Sequence, residues 1–210
     1  MEEKYNLKPC IGVLALQGDF EAHLKMLAEL GVEGKAVRLP QHLEELDGII
    51  IPGGESTTIG KLMVLYGLHE VLRRKIREGF PVWGTCAGLI LLARETDNGL
   101  EGQPLLASMH IRVRRNAFGS QRESFEADLS VPVLGEAPFH TFFIRSPAIE
   151  SAGPEVEVLA TLDDGYPPPG KGSIVAVREG NLLGTAFHPE VAGDPRFHQY
   201  FLRIVQGAKG

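Results

Sequence analysis

The chain has 210 residues, 43% hydrophobic and 23% charged, with 21 Lys+Arg against 27 Asp+Glu and a formal charge of −6. That length and apolar content suit a single globular core. The mild acidic balance offers no broad attraction for phosphate backbones or anionic membranes, so neither nucleic acid nor a membrane is expected as a partner. The opening MEEKYNLKPC has acidic residues where a signal peptide needs basic ones, and the following IGVLAL is too short to span a bilayer; a cytoplasmic setting is expected. Two cysteines, Cys10 and Cys86, make no disulfide framework and are expected to stay unpaired, and seven scattered histidines without a Cys-x-x-Cys mark no structural zinc site.

Ile11–Leu16 is a nearly unbroken apolar run, the pattern of a strand buried on both faces. A helix follows, with Asp19 as N-cap, Phe20, Leu24, Leu27 and Leu30 at helical spacing, and Gly31 as the stop. Lys35–Leu39 reads as a second strand, Leu43–Leu46 as a helical turn, and Gly48–Ile51 as a third strand ending at Pro52-Gly53-Gly54. Helices are expected over Thr57–Tyr66 and Leu68–Glu78, parted by Gly67; then a strand, Pro81–Thr85, leads through Cys86 into an apolar helix, Ala87–Ala93. This alternation predicts a mainly parallel sheet with helices on both faces and right-handed crossovers.

After Gly99 the texture becomes strand-rich: Leu106–Arg114, Ser124–Leu129, Thr141–Arg145, Val156–Thr161, Ile174–Arg178 and Leu182–Phe187 read as strands between turn residues. Pro167-Pro168-Pro169-Gly170 reads as an exposed turn, and Arg196–Val205 as a closing helix. The expected fold class is α/β, a single-domain three-layer sandwich.

Three turns carry the candidate chemistry. Gly84-Thr85-Cys86-Ala87-Gly88 has the spacing of a nucleophile elbow with Cys in place of Ser. A strand turning sharply into a helix crowds its own backbone, and a residue without Cβ on each side relieves the clash. The sulfur then projects from the carboxyl edge of the sheet, and the Ala87 amide is free to bond an oxyanion. Alone, the pentapeptide fits a small packed Cys equally well.

Ile51-Pro52-Gly53-Gly54-Glu55-Ser56-Thr57 closes another strand at the edge where open α/β sheets bind ligands. Its paired glycines let the backbone approach a bound group and supply a second oxyanion donor; the plainer reading is a helix-start turn with Ser56 as N-cap, and the two roles can coexist. A phosphate loop is refuted by spacing, since five residues rather than four separate Gly54 from Gly60, and Leu62 stands where Ser or Thr is required. Phe187-His188-Pro189-Glu190 ends the last strand, placing a base and a carboxylate two residues apart so that Glu190 can hold the imidazole tautomer while the other ring nitrogen faces a thiol. By itself it is a common-looking loop; the combination at one sheet edge gives it weight. His23, His42, His69, His110, His140 and His198 lack this setting and are expected at the surface or in packing, and Arg112, Arg114 and Arg115 read as a basic cluster, either a solvated strand face or a contact with a partner's acidic surface.

The Cys86 and His188/Glu190 motifs together resemble the class I (triad) glutamine amidotransferases. Five further blocks narrow the resemblance: Leu14-Ala15-Leu16-Gln17-Gly18, Pro52 to Thr58, Arg115-Asn116-Ala117-Phe118-Gly119, Ser124-Phe125-Glu126-Ala127-Asp128 and Phe143-Ile144-Arg145. With them the chain is similar, from Ile11 to Val205, to the glutaminase subunits of pyridoxal 5′-phosphate synthases. The resemblance implies a single glutamine amidotransferase domain over residues 1–210, with 1–9 as an N-terminal extension. It implies hydrolysis of L-glutamine to glutamate and ammonia, the ammonia passing to a partner (β/α)8-barrel synthase that makes pyridoxal 5′-phosphate. Cys86 would be the nucleophile, His188 the acid/base and Glu190 its orienting carboxylate. Gly53, Gly54 and Ala87 would form the oxyanion hole, with the Gly53-Gly54 peptide oriented under the partner's influence. Gly54, Glu55, Ser56, Arg115, Ile144 and Arg145 would bind glutamine. This chemistry calls for no metal and no cofactor.

The chain departs from the pattern at Ser120, where the family often has Arg, at His140-Thr141, where smaller residues are usual, and in an extended loop over Asp163–Gly172. Two other readings stay open here: the glutaminase of another amidotransferase, such as imidazole glycerol phosphate synthase, and a non-catalytic regulatory module on the same fold.

Overall fold

The computed structural model describes residues 8–99, 102–117, 124–163 and 172–209. Most of the N-terminal extension, Phe118-Gly119 with Ser120, and the proline turn within the Asp163–Gly172 loop lie outside the described residues. The first half alternates as expected: β1 (Cys10–Leu14), α1 (Phe20–Glu29), β2 (Glu33–Val37), β3 (Gly48–Ile51), α2 (Ser56–Leu65), α3 (Leu68–Arg77), β4 (Val82–Thr85) and α4 (Ala87–Leu92). The second half contributes β5 (Ala93–Asp97), β6 (Met109–Arg114), β7 (Phe125–Leu129), β8 (Phe139–Phe143), β9 (Ala148–Ala152), β10 (Glu157–Thr161), β11 (Ile174–Glu179), β12 (Leu182–Thr185) and α5 (Arg196–Gly207).

Among the described residues, ten strands form one sheet in the order β2-β1-β3-β4-β12-β11-β9-β6-β5, with β10 also paired to β11; β7 and β8 form a separate antiparallel ribbon. From β2 to β12 every pairing is parallel, and β12 lies beside β4 with Thr185 opposite Thr85. That register sets the end of β12, and the turn carrying His188 beyond it, level with Cys86. The layers follow from the two-residue period of a strand. Trp83 packs on Phe197, His198 and Phe201 of α5 and on His23 of α1, whereas a Cβ on its neighbour Gly84 would strike α4 backbone. Helices α1 and α5 therefore cover one face and α4 the other, the expected three-layer sandwich.

Several boundaries differ from expectation. Strand β2 begins two residues earlier, because backbone pairing with β1 rather than side-chain burial defines this edge strand, and its Glu33 and Gly34 are exposed. The turn expected at Leu43–Leu46 is a 3-10 turn over Pro40–Leu43, where proline starts the turn. Ala93 leaves the helix and opens β5, whose Arg94 and Glu95 are exposed. Strand β9 was not expected at all. Its Glu150 serves Arg112 and Arg114 of β6 by ion pairs, so no apolar alternation marks it. Both cysteines are free thiols, as expected.

Candidate active site

Cys86 sits on the turn between β4 and α4 with φ +47, an uncommon backbone state for a residue with a side chain. The turn is held by the Cys86 N–H donating to Thr185 O at 2.8 Å and by the Ile90 N–H donating to Cys86 O at 3.3 Å. Its two glycines are sterically required. A Cβ on Gly84 would lie 2.5 Å from the Gly88 carbonyl, and one on Gly88 would lie 2.1 Å from Ile51 O. The crowding inferred from the motif is thus real, and it involves the neighbouring strand β3 as well as the turn itself.

His188 follows β12 after Phe187, whose ring is buried against Phe139, Phe143 and Phe197 and anchors the turn. The His188 N–H donates to Phe142 O at 3.0 Å, tying the turn to β8 as well. The imidazole Nδ1 is 2.8 Å from Glu190 Oε1, and the ring lines the same cavity as Cys86. Burial disfavours a proton on His188, but the bonds and negative charge of Cys86 and Glu190 outweigh it and raise the group to about 10. Flanked by two acids, the imidazole holds its proton at neutral pH. The Glu190 side chain is wholly buried, so its charge acts on His188 without solvent screening.

The loop after β3 forms the opposite wall. A Cβ on Gly53 would fall 2.5 Å from His188 Cε1, so only glycine lets this backbone approach the imidazole. Gly53 O accepts from the Asp19 N–H at 3.3 Å, and a Cβ on Gly18 would lie 1.9 Å from that oxygen. The Gln17 side-chain oxygen accepts from the Glu55 N–H at 2.7 Å. The Gln17-Gly18-Asp19 segment therefore braces the glycine loop, a role that its composition alone does not signal.

The plainer reading of the loop, with Ser56 as N-cap of α2, is corrected. Glu55, not Ser56, caps the helix, accepting from the N–H groups of Thr57 at 3.0 Å and Thr58 at 2.7 Å. The longer carboxylate reaches both amides, while Ser56 is buried and accepts from Gln103 Nε2 at 3.1 Å. Burial tends to raise the Glu55 carboxyl, but the hydrogen bonds from Thr58 and Thr57 prevail and bring it down to about 2.

Arg115 leaves the basic face expected for its neighbours. Arg112 and Arg114 pair with Asp97 and Glu150, whereas Arg115 reaches Glu55 Oε1 at 3.0 Å, Gln103 Oε1 at 3.0 Å and Thr57 Oγ1 at 3.3 Å. Gln103 is a participant that nothing in its sequence setting announces. Ile144 and Arg145 follow β8, with Arg145 at φ +48 and the Ile144 N–H donating to the buried Ser146 Oγ at 3.1 Å. Among the described residues Arg145 has no ion-pair partner.

These walls enclose a cavity of about 330 Å³. It is lined by Cys86, Ala87, His188, Gly53, Gly54, Glu55, Ser56, Arg115, Ile144 and Arg145, with Glu190 behind His188. Every residue expected at the site is thus in one place. The other histidines divide. His42, His69, His110 and His140 make local contacts away from the cavity. His23 and His198 instead form a fully buried pair whose His23 Nε2 lies 3.4 Å from Glu190 Oε2, which corrects the expectation that neither had a special setting.

A thiol on a strand-to-helix turn and an imidazole steadied by a buried carboxylate, set at one cavity on the carboxyl edge of a doubly wound sheet, have the arrangement that nucleophilic acyl transfer requires. The SNO glutamine amidotransferase family matches residues 13–207, and the chain belongs to that family. It is 58% identical over 195 residues to the pyridoxal 5′-phosphate synthase subunit PdxT of Herpetosiphon aurantiacus, a match covering 92% of this chain and 99% of that one. Identity to the PdxT subunit of Roseiflexus sp. (strain RS-1) is 54% over 194 residues, with the same coverage. A solved structure described as a glutamine amidotransferase superposes with a TM-score of 0.84 at 50% identity, over 93% of this chain and 98% of that chain.

Proposed function

We propose that the chain is the glutaminase subunit of a pyridoxal 5′-phosphate synthase, working as one glutamine amidotransferase domain over residues 1–210 in a cytoplasmic setting. The observation that carries this reading is the Cys86, His188 and Glu190 constellation at the cavity, together with family membership. Cys86 is the nucleophile. Its thiolate attacks the side-chain amide carbon of glutamine, and the negative charge moves to the carbonyl oxygen. The Ala87 N–H and the Gly54 N–H hold that oxyanion. The Gly54 assignment is supported by the Gly53 carbonyl, which is turned to Asp19; across a trans peptide the Gly54 N–H points the opposite way.

Protonated His188 gives its proton to the leaving nitrogen, and ammonia departs as the γ-glutamyl thioester forms. The now neutral imidazole takes a proton from water, the resulting hydroxide attacks the thioester carbon, and glutamate leaves as the thiolate is restored. Glu190 keeps His188 Nδ1 protonated and therefore aims Nε2 at the reacting atoms. Glutamine carries one charge of each sign at its α-carbon. Arg115 and Arg145 face the carboxylate and Glu55 the ammonium, while Gly54, Ser56 and Ile144 shape the wall.

The ammonia acceptor is a (β/α)8-barrel synthase subunit. Loss of one oxyanion donor costs about 3–4 kcal/mol, so the chain is nearly silent whenever the Gly53-Gly54 peptide turns away from the orientation described above, and docking raises turnover by holding that orientation. The test is glutamate production at saturating glutamine with the synthase subunit present or withheld. Turnover should rise strongly on docking and vanish in Cys86→Ala, whose partner binding stays intact. Retained hydrolysis in that variant rejects the mechanism, and equal turnover with and without the partner rejects the coupling.

A further inference from the structure

Glu190 Oε1 is occupied by His188, but its other oxygen is wholly buried and has no close donor among the described residues. His23 Nε2 stands 3.4 Å away, and at the same distance from Thr85 Oγ1. His23 reaches there from α1, across the face of the sheet. Its Nδ1 lies 2.9 Å from His198 Nε2 on α5, while His198 Nδ1 has no partner among the described residues. The groups facing His23 are Glu190 and His188 from the turn after β12, Thr85 and Trp83 from β4, and His198 from α5. Burial pushes His23 well below the usual histidine range and brings His198 to about 3, so each ring is neutral and carries a single proton.

Only one placement of those two protons suits the buried carboxylate. With the proton on Nε2 of both rings, His198 donates to His23 Nδ1, and the His23 Nε2–H lies between Thr85 Oγ1 and Glu190 Oε2, each 3.4 Å away, with its positive end toward the carboxylate. The alternative lets the Thr85 hydroxyl donate to a bare His23 Nε2, but it sets that lone pair beside an anion and buries an unpaired N–H at His198 Nδ1, which is the costlier group to leave unsatisfied. We propose that His23 is a positioning residue for glutamine hydrolysis: its Nε2–H, oriented by His198, braces Glu190 so that the opposite oxygen holds His188 toward Cys86.

This inference rests on the assignment of Cys86, His188 and Glu190 above, and the test separates the two. In the complex with the synthase subunit, His23→Leu should lose roughly ten- to hundredfold in kcat with little change in KM, the usual cost of removing a group that orients an active-site ligand. His23→Gln, whose amide nitrogen can stand where Nε2 stood, should recover most of it. An active wild type with full kcat in a folded His23→Leu overturns the inference, as does failure of His23→Gln to exceed His23→Leu. An inactive wild-type complex overturns the site assignment instead. The 15N chemical shifts of the histidine rings in the wild-type chain give a readout that needs neither turnover nor a variant. Nε2–H tautomers at His23 and His198 are expected at neutral pH, and an Nδ1–H tautomer at His23 overturns the inference.

Discussion

A methyl group placed on Gly53 would stand 2.5 Å from His188 Cε1 and 3.1 Å from Nδ1. The glycine loop and the imidazole are thus in contact through a gap that holds no side chain, and displacement of either moves the other. Gly53→Ala should push the ring off its line to Cys86 and lower kcat about a hundredfold, as expected for a shift of about 1 Å in a reacting group. Steady-state glutaminase assays with far-UV circular dichroism as a folding control check this; unchanged kcat in a folded variant would contradict the contact.

Glu190 makes the second prediction. Replacing it with Gln removes the charge beside His188 and lets the amide stabilise the wrong tautomer, so kcat should fall by about 10³–10⁴. The group also sets a pH dependence. His188 is raised from 6.5 to about 10 in the folded chain, so its contribution to stability is complete below pH 6.5 and is lost as pH rises toward 10. Melting temperatures measured across that window should decline for the wild type and decline less for Glu190→Gln.

On the acid side the sign reverses. His198 is lowered to about 3 by burial, so it favours the folded state above pH 6.5, and that contribution is lost as pH falls toward 3. Each proton taken up only on unfolding costs ~1.4 kcal/mol per pH unit. Urea titrations between pH 6.5 and 4 should show His198→Gln losing stability less steeply than the wild type, by about one proton's slope. Parallel slopes would mean that this ring titrates normally.

Arg115 separates binding from chemistry. Its guanidinium holds Glu55, Gln103 and Thr57 in place around the cavity but does not touch Cys86 or His188. Charge-assisted hydrogen bonds of this kind contribute about 1.5–3 kcal/mol. Arg115→Ala should therefore raise the KM for glutamine by roughly ten- to hundredfold with a smaller effect on kcat. A pure kcat defect would place Arg115 in the chemical step instead.

The elements of the first half were legible in the chain because buried parallel strands are written as apolar runs. Gly48–Ile51 has the expected bounds, β4 differs by one residue at its start, and α2 is shifted by one residue at each end. Edge and charge-laced strands were not, since β5 and β9 owe their place to backbone pairing and to ion pairs such as Arg114 with Glu150 rather than to hydrophobic patterning. The same division runs through the site. Cys86, His188 and the Gly53-Gly54 loop stand at glycine- or proline-marked turns, whose backbone demands are local and so appear in local sequence.

Gln17 and Gly18 as brace and Gln103 beside Arg115 became visible only in three dimensions, because each acts on a partner from another segment, whereas Glu55 as cap is a local contact that the Ser56 reading passed over. Turn chemistry and apolar runs by themselves determined the sheet's parallel half and the three corners that carry a thiol, a donor loop and an imidazole. Tertiary structure alone decided that β12 lies beside β4, which puts residue 188 next to residue 86, and that His23 and His198 meet behind Glu190. The physical reason is range: a turn is dictated by the residues within it, whereas the neighbour of a buried polar atom is dictated by how distant segments pack.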